Sequence, residues 1–129
     1  MMIRQELSIV ATAQMLELLN LGKVQLESRY FTGTERDIAE GHANRVQYFA
    51  SRLAAKWAVL KLLDLGQSKR FLWLDIEIQR LPTGQPSIVL SERCQNIAAA
   101  LGVAQWFLSL SHTMSYAAAI AIALHQAPG

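Results

Sequence analysis

Cysteine is nearly absent. Cys94 stands alone in 129 residues, so no internal disulfide can close and no zinc site built on paired cysteines can form. A lone thiol suits a reducing compartment, and the cytoplasm is the expected setting. Proline and glycine number only three and seven and are scattered singly, which excludes collagen-like and low-complexity architectures. Charged residues make up 17% and the net charge is +2, too little for the basic face of a nucleic-acid binder, though compatible with an acidic protein partner. Long apolar runs are missing too. The opening MMIRQELSIVA has no signal-peptide core, and the run from Tyr116 to Leu124 is far shorter than a membrane span, so no membrane association is expected. What the chain does have is 52% hydrophobic residues, enough to exclude disorder and to fill one core. Residues 1–129 are expected to form a single domain.

Local patterns order the elements. A β-prone stretch, Leu7 to Ala11, leads into TAQMLELLNLG, a helix with Thr12 as N-cap and Gly22 as stop. Thr32-Gly-Thr-Glu35 has capping-box spacing, so Gly33 to about Glu40 is a second short helix. The longest helix runs from Arg45 to Leu65, with Val46, Phe49, Leu53, Trp57 and Leu60 on its apolar stripe and Gly66 after its end. From Phe71 the period becomes two, with Leu72, Leu74, Ile76 and Ile78 on one side of a half-buried strand. LPTGQP (81–86) turns the chain into a strand from Ser87 to Leu90. Ser91 caps a helix reaching Gly102, and strands Gln105 to Ser109 and Tyr116 to Leu124 flank the polar turn SHTMS. This order predicts an α+β fold with an antiparallel sheet packed against the long helix.

Two places carry chemistry. On the long helix, at about 100° per residue, Lys56 and Lys61 border opposite edges of the apolar stripe, and Arg52 lies one turn before Lys56. Long basic side chains there either lay their stems over the core edge with their charges in water, or form a phosphate-binding rim. His112 and Thr113 sit in a turn between strands, where a histidine is either a solvated surface residue or a functional one.

Five segments in order, YFTGTE (30–35), RLAAKWAVLKLL (52–63), WLDIEIQRLPTGQPSIVL (73–90), AAALGV (98–103) and SLSHTMSYAAA (109–119), together resemble the holo-acyl-carrier-protein synthase family of 4'-phosphopantetheinyl transferases. The resemblance spans nearly the whole chain and implies the 4'-phosphopantetheinyl transferase-like fold. It also implies transfer of the phosphopantetheine arm of coenzyme A to a serine of an acyl carrier protein, with magnesium, in a trimer with active sites between subunits. By position it makes Lys56 catalytic and assigns Arg52, Lys56 and Lys61 to the coenzyme A phosphates. His112 and Thr113 fall at its 3'-phosphate end and Pro86 near its adenine.

The same resemblance exposes departures. Where the family carries its two magnesium carboxylates, this chain has Ser8 and Trp57, so no metal ligand of its own is expected. Gln14 stands where the family has an arginine that helps to dock the carrier. Asp75 and Glu77 form an Asp-x-Glu pair whose role is either structural or that of substitute acids, Glu6 lies on the same side of its strand as Ser8, and Lys23 and Arg29 are further candidate cations. Trp57 either holds Lys61 by a cation–π contact or extends the core stripe. The alternatives are a phosphopantetheinyl transferase with impaired turnover, a catalytically inactive homologue acting as a carrier-binding scaffold or as a partner subunit of an active paralogue, and a non-catalytic coenzyme A or nucleotide binder.

Overall fold

In the computed structural model, residues 2–64 and 73–126 are described, apart from the side chains of Lys23 and Val24. The chain runs β1 (Met2–Ala11), α1 (Thr12–Tyr30), α2 (Gly33–Glu40), α3 (Arg45–Leu62), a 3-10 turn (Trp73–Asp75), β2 (Ile76–Arg80), β3 (Pro86–Leu90), α4 (Glu92–Ala100), β4 (Val103–His112) and β5 (Tyr116–His125). β1, β5 and β4 pair antiparallel in that order, and β2 and β3 form a separate antiparallel pair. The expected α+β architecture, an antiparallel sheet against one long helix, is the observed one.

The contact between sheet and helix depends on methyl groups. Ala119, Ala121 and Ala123 of β5 share one buried cluster with Ala54, Ala55 and Ala58 of α3, and small side chains on both surfaces let the helix lie close to the strands. Because successive strand residues face opposite ways, part of the sheet's bulk points outward, while Trp106, Leu108 and Leu110 of β4 pack on the core. Ile120 of β5, Leu7 and Ile9 of β1 and Phe107 of β4 are all exposed. On β5 the large apolar Ile120 is outside and the alanines are inside, an inversion of the usual pattern. A second cluster, with Met15, Leu19, Phe31, Tyr48 and Phe49, fills the space among α1, α2 and α3.

Several boundaries differ from the sequence reading. The first helix does not stop at Gly22 but continues to Tyr30; a Cβ at Gly22 would lie 2.1 Å from Leu26 Cγ, so the glycine makes room for a neighbour within the helix. Ala11, not Thr12, is its N-cap, and Thr12 Oγ1 instead donates to Met114 O at 2.7 Å, fastening α1 to the β4–β5 turn. The α2 capping box forms as expected, and Ser91 caps α4. α3 ends at Leu62, and Asp64 takes a left-handed backbone (φ 59°) after it; Leu65, Gly66, Phe71 and Leu72 lie outside the described residues. Residues 73–75 form a 3-10 turn rather than strand. This turn reverses the expected alternation there, burying Trp73 and exposing Leu74, and Trp73 stacks on Trp57 at 5.6 Å.

Candidate functional site

α3 carries the basic residues, and its packing sends them to three different places. Lys56, the expected catalytic and phosphate-facing lysine, is fully buried. Its Nζ donates to Tyr30 O at 2.7 Å and Trp73 O at 3.0 Å and pairs with Glu35 Oε1 at 2.5 Å. Glu35 in turn accepts from Thr32 N and Ile78 N, each at 2.9 Å. Desolvation lowers the pKa of Lys56, with the Glu35 charge opposing it. Helix periodicity places Lys56 at the stripe's edge, but the end of α1 and the 3-10 turn close over that edge. All three N–H donors are taken, so in this packing a phosphate reaches Nζ only by opening the core.

Arg52 is different. It is 7% exposed, yet its Nε has no hydrogen-bond partner, and its guanidinium lies over the Tyr48 ring at 4.1 Å. The Tyr48 hydroxyl is also buried and unpartnered. Both side chains line two adjoining hollows of about 140 and 230 Å³, which also share His42 and Arg80; His112 lines the smaller. Among the described residues, no carboxylate lines either hollow. Burial lowers the pKa of Arg52, and the like charge of Arg80 adds to this; burial raises that of Tyr48. An anion here would satisfy two stranded polar atoms and offset the repulsion between two guanidiniums. His42 is oriented by a hydrogen bond from Asn44 N to its Nδ1, 3.0 Å.

His112, exposed at the end of β4, lines the same hollow as Arg52. Thr113 does not itself line the hollow, but its carbonyl accepts from Nε2 of Gln47, which does, at 3.1 Å. Its Oγ1 accepts from Ser115 N and Tyr116 N, leaving its own O–H free to donate. Pro86 lies apart, in a third hollow of about 160 Å³ between β3 and β4, with Gln85 and Trp106. Sequence reasoning passes over Tyr48, His42 and Arg80. Only the position of Tyr48 is legible, four residues before Arg52 on one helix face; nothing local marks the other two.

Lys61 is nine residues from Arg52, half a turn away in phase and about 13 Å along the axis. It reaches β1, donating to Leu7 O at 2.5 Å with Glu6 Oε2 at 3.7 Å. The cation–π alternative for Trp57 does not form; its ring stacks on Trp73 and extends the core. Ser8, one residue beyond Leu7, is 4% exposed. The Asp-x-Glu carboxylates have structural partners: Asp75 accepts from Ser91 Oγ at 2.6 Å and pairs with Arg93, and Glu77 accepts from Thr32 Oγ1 at 2.6 Å. Among the described residues, no three His, Cys, Asp or Glu side chains are grouped so as to hold a metal ion.

Known proteins share this arrangement of elements. A family model described as the 4'-phosphopantetheinyl transferase superfamily matches residues 9–121. The chain is 34% identical over 116 residues to a holo-[acyl-carrier-protein] synthase of Geobacter sulfurreducens, covering 90% of this chain and 92% of that one. It is 40% identical over 98 residues, 76% of each chain, to one from Moorella thermoacetica. A holo-(acyl-carrier-protein) synthase from Bacillus anthracis, solved in complex with CoA (3',5'-ADP), superposes with a TM-score of 0.75 at 25% identity, covering 92% of this chain and 93% of that one. The Neisseria meningitidis holo-[acyl-carrier-protein] synthase shares the fold, with a TM-score of 0.83 at 22% identity over 93% and 96% of the two chains. With the model match spanning most of its length and relatives above 30% identity covering nine-tenths of it, the chain belongs to the 4'-phosphopantetheinyl transferase superfamily.

Proposed function

We propose that this chain is a holo-acyl-carrier-protein synthase-type transferase that moves phosphopantetheine from coenzyme A to a carrier-protein serine, with lowered turnover. The observation that carries the reading is the carboxylate-free hollow where Arg52 Nε and Tyr48 OH are buried without partners beside Arg80, His42 and His112. That set suits the 3'-phosphate of coenzyme A, and the hollow beside Pro86 suits its adenine. In the reaction, the serine oxygen forms a bond to the pantetheine-side phosphorus of the pyrophosphate. The bond from that phosphorus to the bridging oxygen breaks, and adenosine 3',5'-bisphosphate leaves. Such a transfer depends mainly on positioning and on positive charge facing the phosphates.

Magnesium, which the resemblance implies, does not fit the residues present. Ser8 and Trp57 bring no anionic oxygen, and Glu6 already faces Lys61. Among the described residues, this corner therefore offers neither a hard-oxygen cage nor a free carboxylate to take the serine proton, whose contribution is typically about 10²–10⁴-fold in rate. This corner favours the second reading, a catalytically inactive homologue that serves as a carrier-binding scaffold or as a partner subunit of an active paralogue.

Assembly belongs to the same proposal. Arg52 and Lys61 point from opposite faces of α3, so one coenzyme A reaches both only if two copies share it. The exposed Leu7, Ile9, Phe107 and Ile120 offer an apolar sheet face to those copies. A homotrimer fits, as does a mixed assembly with a paralogue. No helix among the described residues is long and apolar enough to cross a membrane, and a cytoplasmic setting completes the reading.

Loading of an apo carrier protein, read as a mass gain of one phosphopantetheine, tests it. Wild type should load slowly, and Arg80→Ala should raise KM for coenzyme A about tenfold or more, the loss of a charge-assisted contact. Binding of coenzyme A without any mass gain selects the inactive reading. Absence of both removes the proposal.

A further inference from the structure

The corner where β1 meets α3 has an electrostatic arrangement of its own, and its role rests on the chain binding coenzyme A as proposed. A magnesium-type ion requires close to octahedral oxygen coordination and gives up its waters reluctantly. Here the Ser8 hydroxyl is neutral and the Trp57 ring turns to Trp73. The Glu6 carboxylate and the Leu7 carbonyl both face the Lys61 ammonium, at 3.7 and 2.5 Å. The charged oxygen and the carbonyl oxygen nearest this corner are therefore already matched to a positive group. A divalent ion arriving there meets a like charge, whereas a pyrophosphate meets an opposite one. Lys61 has a third N–H beyond these two contacts, and its side chain is 29% exposed, so a ligand can reach it from solvent.

We propose that the Lys61 ammonium, held between Glu6 and the Leu7 carbonyl, supplies the positive charge at the pyrophosphate, and that this chain binds coenzyme A without a divalent ion. Lysine provides this charge as a compact, mobile head group that needs no coordination cage. Holding it against β1 fixes the head group before the ligand arrives, which reduces the ordering cost of binding.

Calorimetric titration of the full chain with coenzyme A, in magnesium and again in EDTA, tests the proposal. Affinity should be the same in both buffers. Lys61→Ala should weaken binding about tenfold or more in each, the loss of one charge-assisted hydrogen bond, and Lys61→Arg should restore most of it. Manganese provides an independent readout. Its free paramagnetic signal should fall no further with wild type plus coenzyme A than with coenzyme A alone, and should fall further with the Ser8→Asp, Trp57→Glu double variant. Coenzyme A binding that collapses in EDTA, or manganese captured by the wild-type complex, overturns the proposal while leaving the transferase reading intact. A chain that binds no coenzyme A in either buffer overturns that reading, and this proposal with it.

Discussion

Replacing Lys56 by methionine separates two roles for this residue. The substitution keeps a long unbranched side chain but removes the charge that faces Glu35 at 2.5 Å, and it leaves the carbonyls of Tyr30 and Trp73 without their donor. Removing one member of a buried ion pair costs about 3–5 kcal/mol, because the other charge stays behind. With an unfolding entropy of roughly 2.1 cal/mol/K per residue, a ~4 kcal/mol loss in a chain of 129 residues lowers Tm by about 15 °C. Adding Glu35→Gln removes the stranded charge, so the double variant should recover part of that loss. Urea unfolding of wild type, both single variants and the double gives the coupling directly. A lysine reaching into solvent toward a phosphate would instead change stability by no more than about 0.5 kcal/mol. Lys56→Met with wild-type stability and lost coenzyme A affinity would refute the buried assignment. The expected result is lost stability with affinity retained below the transition.

Acid should expose the Asp75 contacts. Burial works to raise the pKa of this carboxyl, but hydrogen bonds from Arg93 and Ser91 outweigh it and hold the group below its ordinary value. Its contribution to stability is then complete above the unfolded carboxylate pKa of about 4 and is lost as pH falls through the lower folded value. Asp75→Asn should cost more at neutral pH than below about pH 3, by urea unfolding at both; an equal cost would contradict the depressed value. At the outer sheet face, Ile120→Glu should convert an assembly of several copies into monomers in sedimentation velocity. Monomeric wild type would rule out the assembly proposed for that face.

The legible part of this molecule is the part governed by local rules. The capping box at Thr32–Glu35, the Ser91 cap, the helical period beginning at Arg45 and the alternation at Ile76 and Ile78 each depend on residues a few positions apart, and each forms as read. Arg52 and His112 stand out as candidates from their positions in the chain, and they line one hollow. Where the reading fails, the local signal is overridden within its own helix or taken up by a distant group. Gly22 reads as a helix stop, but Leu26 fills the space that glycine leaves. Thr12 reads as a cap, but its hydroxyl is taken by Met114 O.

Sequence by itself determined the elements, their order, the α+β class and the superfamily, because hydrophobic period, capping chemistry and motif spacing are all written along the chain. Tertiary structure alone decided which cations stay available. Three basic residues on one helix have similar local signatures. Yet the end of α1 and the 3-10 turn bury Lys56 against Glu35, the β2 and β4 ends enclose Arg52 with Arg80 and His112, and β1 draws Lys61 to Glu6. The field at each ammonium or guanidinium includes groups tens of residues away, Glu35 at Lys56, Arg80 at Arg52 and Glu6 at Lys61, and only folding brings those groups near.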